Sequence, residues 1–180
     1  MTLTPPDAIT LSAKASTGYS PAATAIARFF VEHGKDGLLY ETRIMFDELA
    51  KETGLSAEDM KDALYELSDY VNFTQRPNSQ DRVMVRETLY AEFDRYWMEW
   101  ITTDDALRLA TDLVHDENFP SDPQEIVERY GWTPRRLNPV IRYLLERDLI
   151  VDYRLALGRN FAAERISANE HTRRFVKSRS

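Results

Sequence analysis

Cysteine is absent from the 180 residues, which removes disulfides, thiolate metal sites and cysteine nucleophiles at once and agrees with a reducing compartment. Glycine is scarce, six in all, and none sits in a phosphate-cradling loop or a G-x-S-x-G nucleophile motif. No stretch approaches the roughly 18 to 20 apolar residues that a membrane span needs, and "MTLTPPDAITLSAKAS" lacks the basic region and apolar core of a secretory signal. The cytoplasm is therefore the expected home, with no membrane partner. His33, His115 and His171 are dispersed, without a second ligand at metal spacing, so neither a metal site nor a cofactor is expected. Asp47-Glu48, Glu58-Asp59 and Asp104-Asp105 fall at helix starts or on exposed faces and read as solvated acids. No catalytic residue emerges, and an enzyme is not expected.

What is present is an acidic chain with one basic block. The net charge of −7 argues against an indiscriminate nucleic-acid coat. Residues 1–103 hold 10 Lys+Arg against 17 Asp+Glu, and residues 104–133 hold 2 against 8. Residues 134–180 reverse the balance, 11 against 5, and ten of those eleven cations are arginine. Arginine is the residue suited to bidentate pairing with phosphate and with guanine edges.

Hydrophobic spacing divides the chain further. Residues 1–19, rich in Thr, Ser, Ala and Pro, read as a flexible arm. Ser20-Pro21 then opens a helix with Ile26, Phe29 and Phe30 inward and Gly34 as its C-cap. A second helix is expected over Arg43–Thr53, stopped by Gly54, and a third from Ser56 with Met60, Ala63, Leu64, Leu67 and Val71 buried. "VNFTQ" and "RVMV" read as a hairpin around a polar tip. Residues 87–103 read as a connector helix; Leu89, Phe93, Trp97 and Trp100 share one face, and Phe93 and Trp97 are candidates for a dimer seam.

The rest repeats the first part. Aligning Gly54 on Gly131, an offset of 77, brings Leu49 onto Ile126, Ala50 onto Val127, Leu55 onto Trp132, Met60 onto Leu137, Leu64 onto Ile141 and Leu67 onto Leu144. "LIVDYRLAL" and "NFAAERI" read as a second hairpin around "GR", and Ser167 to Glu170 as a capping box opening a last helix. The expected class is mainly α with small β-hairpins, an α+β fold.

The segments "FDELAKETGLSAEDMKDALYELSDYV" and "PQEIVERYGWTPRRLNPVIRYLLERDLIV" resemble the winged helix-turn-helix superfamily, in tandem, and "PRRLNP" followed by "YLLERDLIV" is similar to the recognition helix and first wing strand of bacterial regulators. The resemblance implies two winged-helix units, residues 20–86 and 104–180, joined by the connector. It further implies a transcriptional regulator that reads duplex DNA through the third helix and wing of the second unit. Arg135, Arg136, Asn138 and Arg142, lying off the apolar stripe, are then the side chains to reach a major groove, with Arg154 and Arg159 on the hairpin beside them. The alternative within the helix is a solvated face whose arginines pair with Glu128, Glu146 or Asp148. The alternative for the whole chain is a scaffold that binds protein through acidic surfaces, Asp62 and Glu66 of the first third-helix above all, with little DNA binding. Pro139 leaves the helix start open between Pro134 and Asn138; the repeat favours Pro134.

Overall fold

A computed structural model describes residues 16–38, 43–76, 79–153 and 160–179. Among them the chain is mixed α and β, with eight helices and two small antiparallel sheets. The order is α1 (Pro21–His33), β1 (Arg43–Met45), α2 (Phe46–Thr53), α3 (Ala57–Glu66), β2 (Val71–Arg76), β3 (Ser79–Val85) and α4 (Thr88–Trp97), then α5 (Thr102–His115), α6 (Pro123–Tyr130), α7 (Pro134–Glu146), β4 (Ile150–Asp152), β5 (Ile166–Ala168) and α8 (Glu170–Lys177). None of these helices is long and apolar enough to cross a membrane.

Local chemistry sets most of these bounds. The Ser20 side chain accepts from the Ala23 amide ahead of Pro21, and Ser56 and Thr133 cap α3 and α7 in the same way. Gly54 and Gly131 end α2 and α6 in the left-handed conformation, at φ 71° and 65°, where a side chain would be strained. Two aspects depart from the sequence reading. Arg43–Met45 is a strand rather than the first turn of α2, because Ile44 pairs with Val83 and is buried there. The box at α8 is made by Asn169 and Thr172, while Ser167 belongs to β5.

Gly34 ends α1 at an ordinary extended backbone, φ −70°. Its glycine is required by space: a Cβ there would lie 2.7–2.9 Å from the ring and hydroxyl of Tyr90, which is itself fully buried. Gly34→Ala is expected to cost about 1–3 kcal/mol by overpacking, read as a lowered urea midpoint. A loss under about 0.5 kcal/mol would mean that Tyr90 moves aside freely.

Two hydrophobic cores form. The first gathers α1, α2, α3, the three-stranded sheet in the order β1-β3-β2, and α4; the second gathers α5 to α8 with β4 and β5. Residues of α4 are therefore not a free connector, since Leu89, Tyr90 and Phe93 are fully buried in the first core. Tyr19, at the end of the expected arm, also packs there, 5.2 Å from the Phe93 ring and 6.1 Å from that of Tyr70.

The offset of 77 carries further than the sequence indicated. It superposes the bounds of α2 on those of α6 and the starts of α3 and α7, and it places Ser121 where the first half has Ile44. The Ser121 carbonyl accepts from the Ile166 amide at 2.9 Å, so one residue stands in for β1 beside the second hairpin. The return strand is displaced from the expected "NFAAERI", whose neighbouring turn "GR" lies outside the described residues. It begins at Ile166, because residues 160–162 are held elsewhere, on Asn138.

Candidate functional site: the exposed and covered faces of the third helices

The helix α7 begins at Pro134 and runs through Pro139. Its apolar stripe, Leu137, Ile141 and Leu144, enters the second core as the spacing indicated. The opposite side is also covered: Arg135, Asn138 and Pro139 are buried, and α7 packs against α4. The expectation that Arg135, Arg136, Asn138 and Arg142 line an open face is thus corrected. Arg135, Asn138 and Arg142 lie in the seam between the two halves, while Arg136 is held within the second half, on Asp105 of α5.

Arg135 is 6% exposed and meets Asp94 of α4, which is wholly buried. The guanidinium bonds both carboxylate oxygens, at 2.6 and 2.8 Å, donates to the Val31 carbonyl at 3.3 Å, and lies 4.2 Å from the centre of the Tyr90 ring. Burial pushes the Asp94 carboxyl above its ordinary range, while the Arg135 bonds and charge and the Trp100 indole, donating at 3.3 Å, pull it back only in part. Arg136 makes a second fork, 2.7 Å to each oxygen of Asp105, sandwiched between Trp132 and Trp100 at 4.4 and 5.6 Å. Arg142 pairs with Glu87, at the start of α4. The partners Glu128, Glu146 and Asp148 suggested by proximity in sequence are not used by these three arginines.

Asn138 is completely buried and makes three bonds to two other segments. Its amide nitrogen donates to the carbonyls of Asp36, in the loop after α1, and of Asn160, while its oxygen accepts from the Ala162 amide, all at 2.7–2.8 Å. Pro139, one residue on, has its ring 3.2 Å from where a Cβ on Gly37 would stand, and Gly37 has φ +72°. Proline cannot donate to the Arg135 carbonyl in the usual helical bond. The close approach of a glycine backbone fits beside the pair.

The remaining expected site residues are dispersed. Arg154 and Arg159 lie outside the described residues. Phe93 is fully buried inside the first core and so cannot form a dimer seam; Trp97 is partly buried, stacked on Phe93 at 6.2 Å with planes 5° apart. Glu66 is exposed and accepts from the Ser20 amide at 3.0 Å, tying α3 to the entry of α1. Asp62 is exposed on α3 in one stripe with Glu58 and Tyr65, and Tyr65 is 85% exposed.

Sequence reasoning missed Asp94, Asp105 and Glu87, the acids on which the arginines close. Asp94 carried a signal: it stands four residues after Tyr90 and one after Phe93, within a helix face otherwise aromatic. An acid in a buried stripe calls for a buried cation. Asp105 and Glu87 carried none, since acids near a helix start are common on solvated surfaces. No known protein family matches the chain, and neither does any curated protein sequence.

Proposed function

We propose that the chain is a tandem winged-helix scaffold, which binds protein through exposed helical faces and does not read DNA with α7. The layout supports the winged-helix part. Helix, strand, two helices and a hairpin, with strand order β1-β3-β2, is the winged-helix plan, and α5, α6, α7, β4 and β5 follow it again with Ser121 in the place of β1. In this reading α4 closes the first unit and α8 the second.

A single observation favours scaffold over regulator: the burial of Arg135 and Asn138 in the seam. Helix-turn-helix proteins put the N-terminal residues of the third helix against base edges. In this chain that end is covered by α4 and by the loop after α1. Direct reading by α7 would require breaking two arginine forks and the Asn138 bonds, a cost that a few base contacts of about 1–3 kcal/mol each would not offset. The equivalent face of α3 is open but acidic, and phosphates repel it.

One feature favours a second, weaker reading. Arg173, Arg174, Lys177 and Arg179 are exposed on and just after α8, and they suit duplex DNA at the phosphates without base reading. Selection of bound sequences from a random duplex library separates the two. The scaffold reading expects no enriched motif, and any retention should vanish between about 50 and 200 mM salt. An enriched motif would overturn it and return the chain to the regulators.

A further inference from the structure

The seam is an example, within one molecule, of what covers a third-helix face in this architecture. It is the last helix of the other unit, α4, laid on α7. The same two surfaces remain open at the opposite ends of the chain: the face of α3 and the outer side of α8.

The repeat gives the register. The offset of 77 places Glu58 where the seam has Arg135, Asp62 where it has Pro139, and Tyr65 where it has Arg142. On the other side the hairpins fix an offset of 83. Val85 pairs with Val71 as Ala168 pairs with Ile150, and Val83 pairs with Phe73 as Ile166 pairs with Asp152. That offset sets Thr172 and Val176, both buried, on Leu89 and Phe93, and sets Arg173 and Lys177, both exposed, on Tyr90 and Asp94. The two α4 positions covered by the seam are the two that stand uncovered on α8.

The charges are inverted at the central pair of positions. Where the seam joins Asp94 of α4 to Arg135 of α7, the open surfaces offer Lys177 and Glu58. The side chains of Glu58, Asp62, Tyr65, Arg173 and Lys177 make no ion pair or hydrogen bond among the described residues. We propose that α8 of a second copy docks on α3, with Arg173 and Lys177 against Glu58 and Asp62 and with Tyr65 covered, in a charge-inverted version of the α4–α7 packing. The contact is head-to-tail, so each pair of copies keeps one free α3 and one free α8, and assembly continues unless the rotation closes a ring. The equivalence of positions rests on the tandem winged-helix reading.

Sedimentation velocity of the full chain across about 5–500 µM at low salt tests it. The expected result is mass that rises with concentration and falls back toward monomer by about 300 mM salt, where the screening length is well under 10 Å. Glu58→Lys alone and Lys177→Glu alone should each weaken association about tenfold or more. Mixing the two variants, or combining the changes in one chain, should restore it, because each mutated surface then meets its opposite charge. Both positions are exposed, so folding is left intact. A monomer throughout, or association indifferent to these reversals or not restored by pairing them, overturns the proposal. That outcome leaves the scaffold reading standing, whereas an enriched duplex motif would sink the scaffold reading and leave this contact to be judged by its own reversals.

Discussion

Asp94→Ala is expected to destabilise the protein by about 3–5 kcal/mol, the usual cost of stranding a buried charge. Removal of this carboxylate leaves Arg135, whose side chain is 7% exposed, with the Val31 carbonyl and the Tyr90 face as its remaining partners. Neither neutralises a cation held so far out of solvent. The complementary experiment replaces both ends, Asp94→Leu with Arg135→Met. That double variant should recover most of the loss, because two desolvation penalties disappear with the attraction. Urea titration of the two variants against the parent gives the comparison. A single-variant loss under about 1 kcal/mol would mean that Arg135 finds water in solution and that the seam is open there. A double variant as damaged as the single one would mean that the pair contributes more attraction than it loses in dehydration.

Asn138→Ala should cost about 3 kcal/mol, since it removes in one step the bonds that its buried side chain makes to two carbonyls and an amide. A more specific result comes from Asn138→Asp, a change of one group with almost no change of shape. The carboxylate can still accept from the Ala162 amide but turns a negative oxygen toward the carbonyls of Asp36 and Asn160. It should therefore be at least as damaging as alanine. Hydrogen exchange gives a local check, with faster exchange at Ala162 in the alanine variant and retained protection there in any aspartate variant that still folds. Equal stability of Asn138→Ala and the parent would reject the three-way clamp.

Both predictions turn on side chains assigned from sequence to a groove, Arg135 and Asn138. The physical reason is that an arginine on a helix reports its chemistry but not its surroundings. Spacing identified the stripe Leu137, Ile141 and Leu144 because one buried face leaves a period near 3.6. When a second face of the same helix is buried by ion pairs and an amide, no apolar period records it. Arg135, Arg136 and Asn138 look alike whether they meet phosphate, water or Asp94. Only Pro139 hinted at crowding, and it became intelligible when Gly37 was found against its ring.

The same limit explains the α4 segment. Its aromatics were legible as a buried face, but burial within one core and burial between two molecules produce the same pattern. Phe93 proved to lie inside the first core, packed with Tyr19 and Tyr70. The short β1 strand was missed because three residues with one buried side chain carry no period, and its identity depends on Val83, some forty residues away in sequence.

By itself the sequence determined the local elements and their repetition: caps at Ser20, Ser56 and Thr133, left-handed turns at Gly54 and Gly131, and two matched sets of apolar positions. These depend on neighbours within a turn or two of chain, and their signals are written within that span. The tertiary structure alone decided which third-helix face is covered and which is open. That choice depends on Asp94, 41 residues before Arg135, and on the Asp36 carbonyl, 102 residues before Asn138. Pairing across such distances follows from how the two cores dock, and a charge has no periodicity from which its partner can be read.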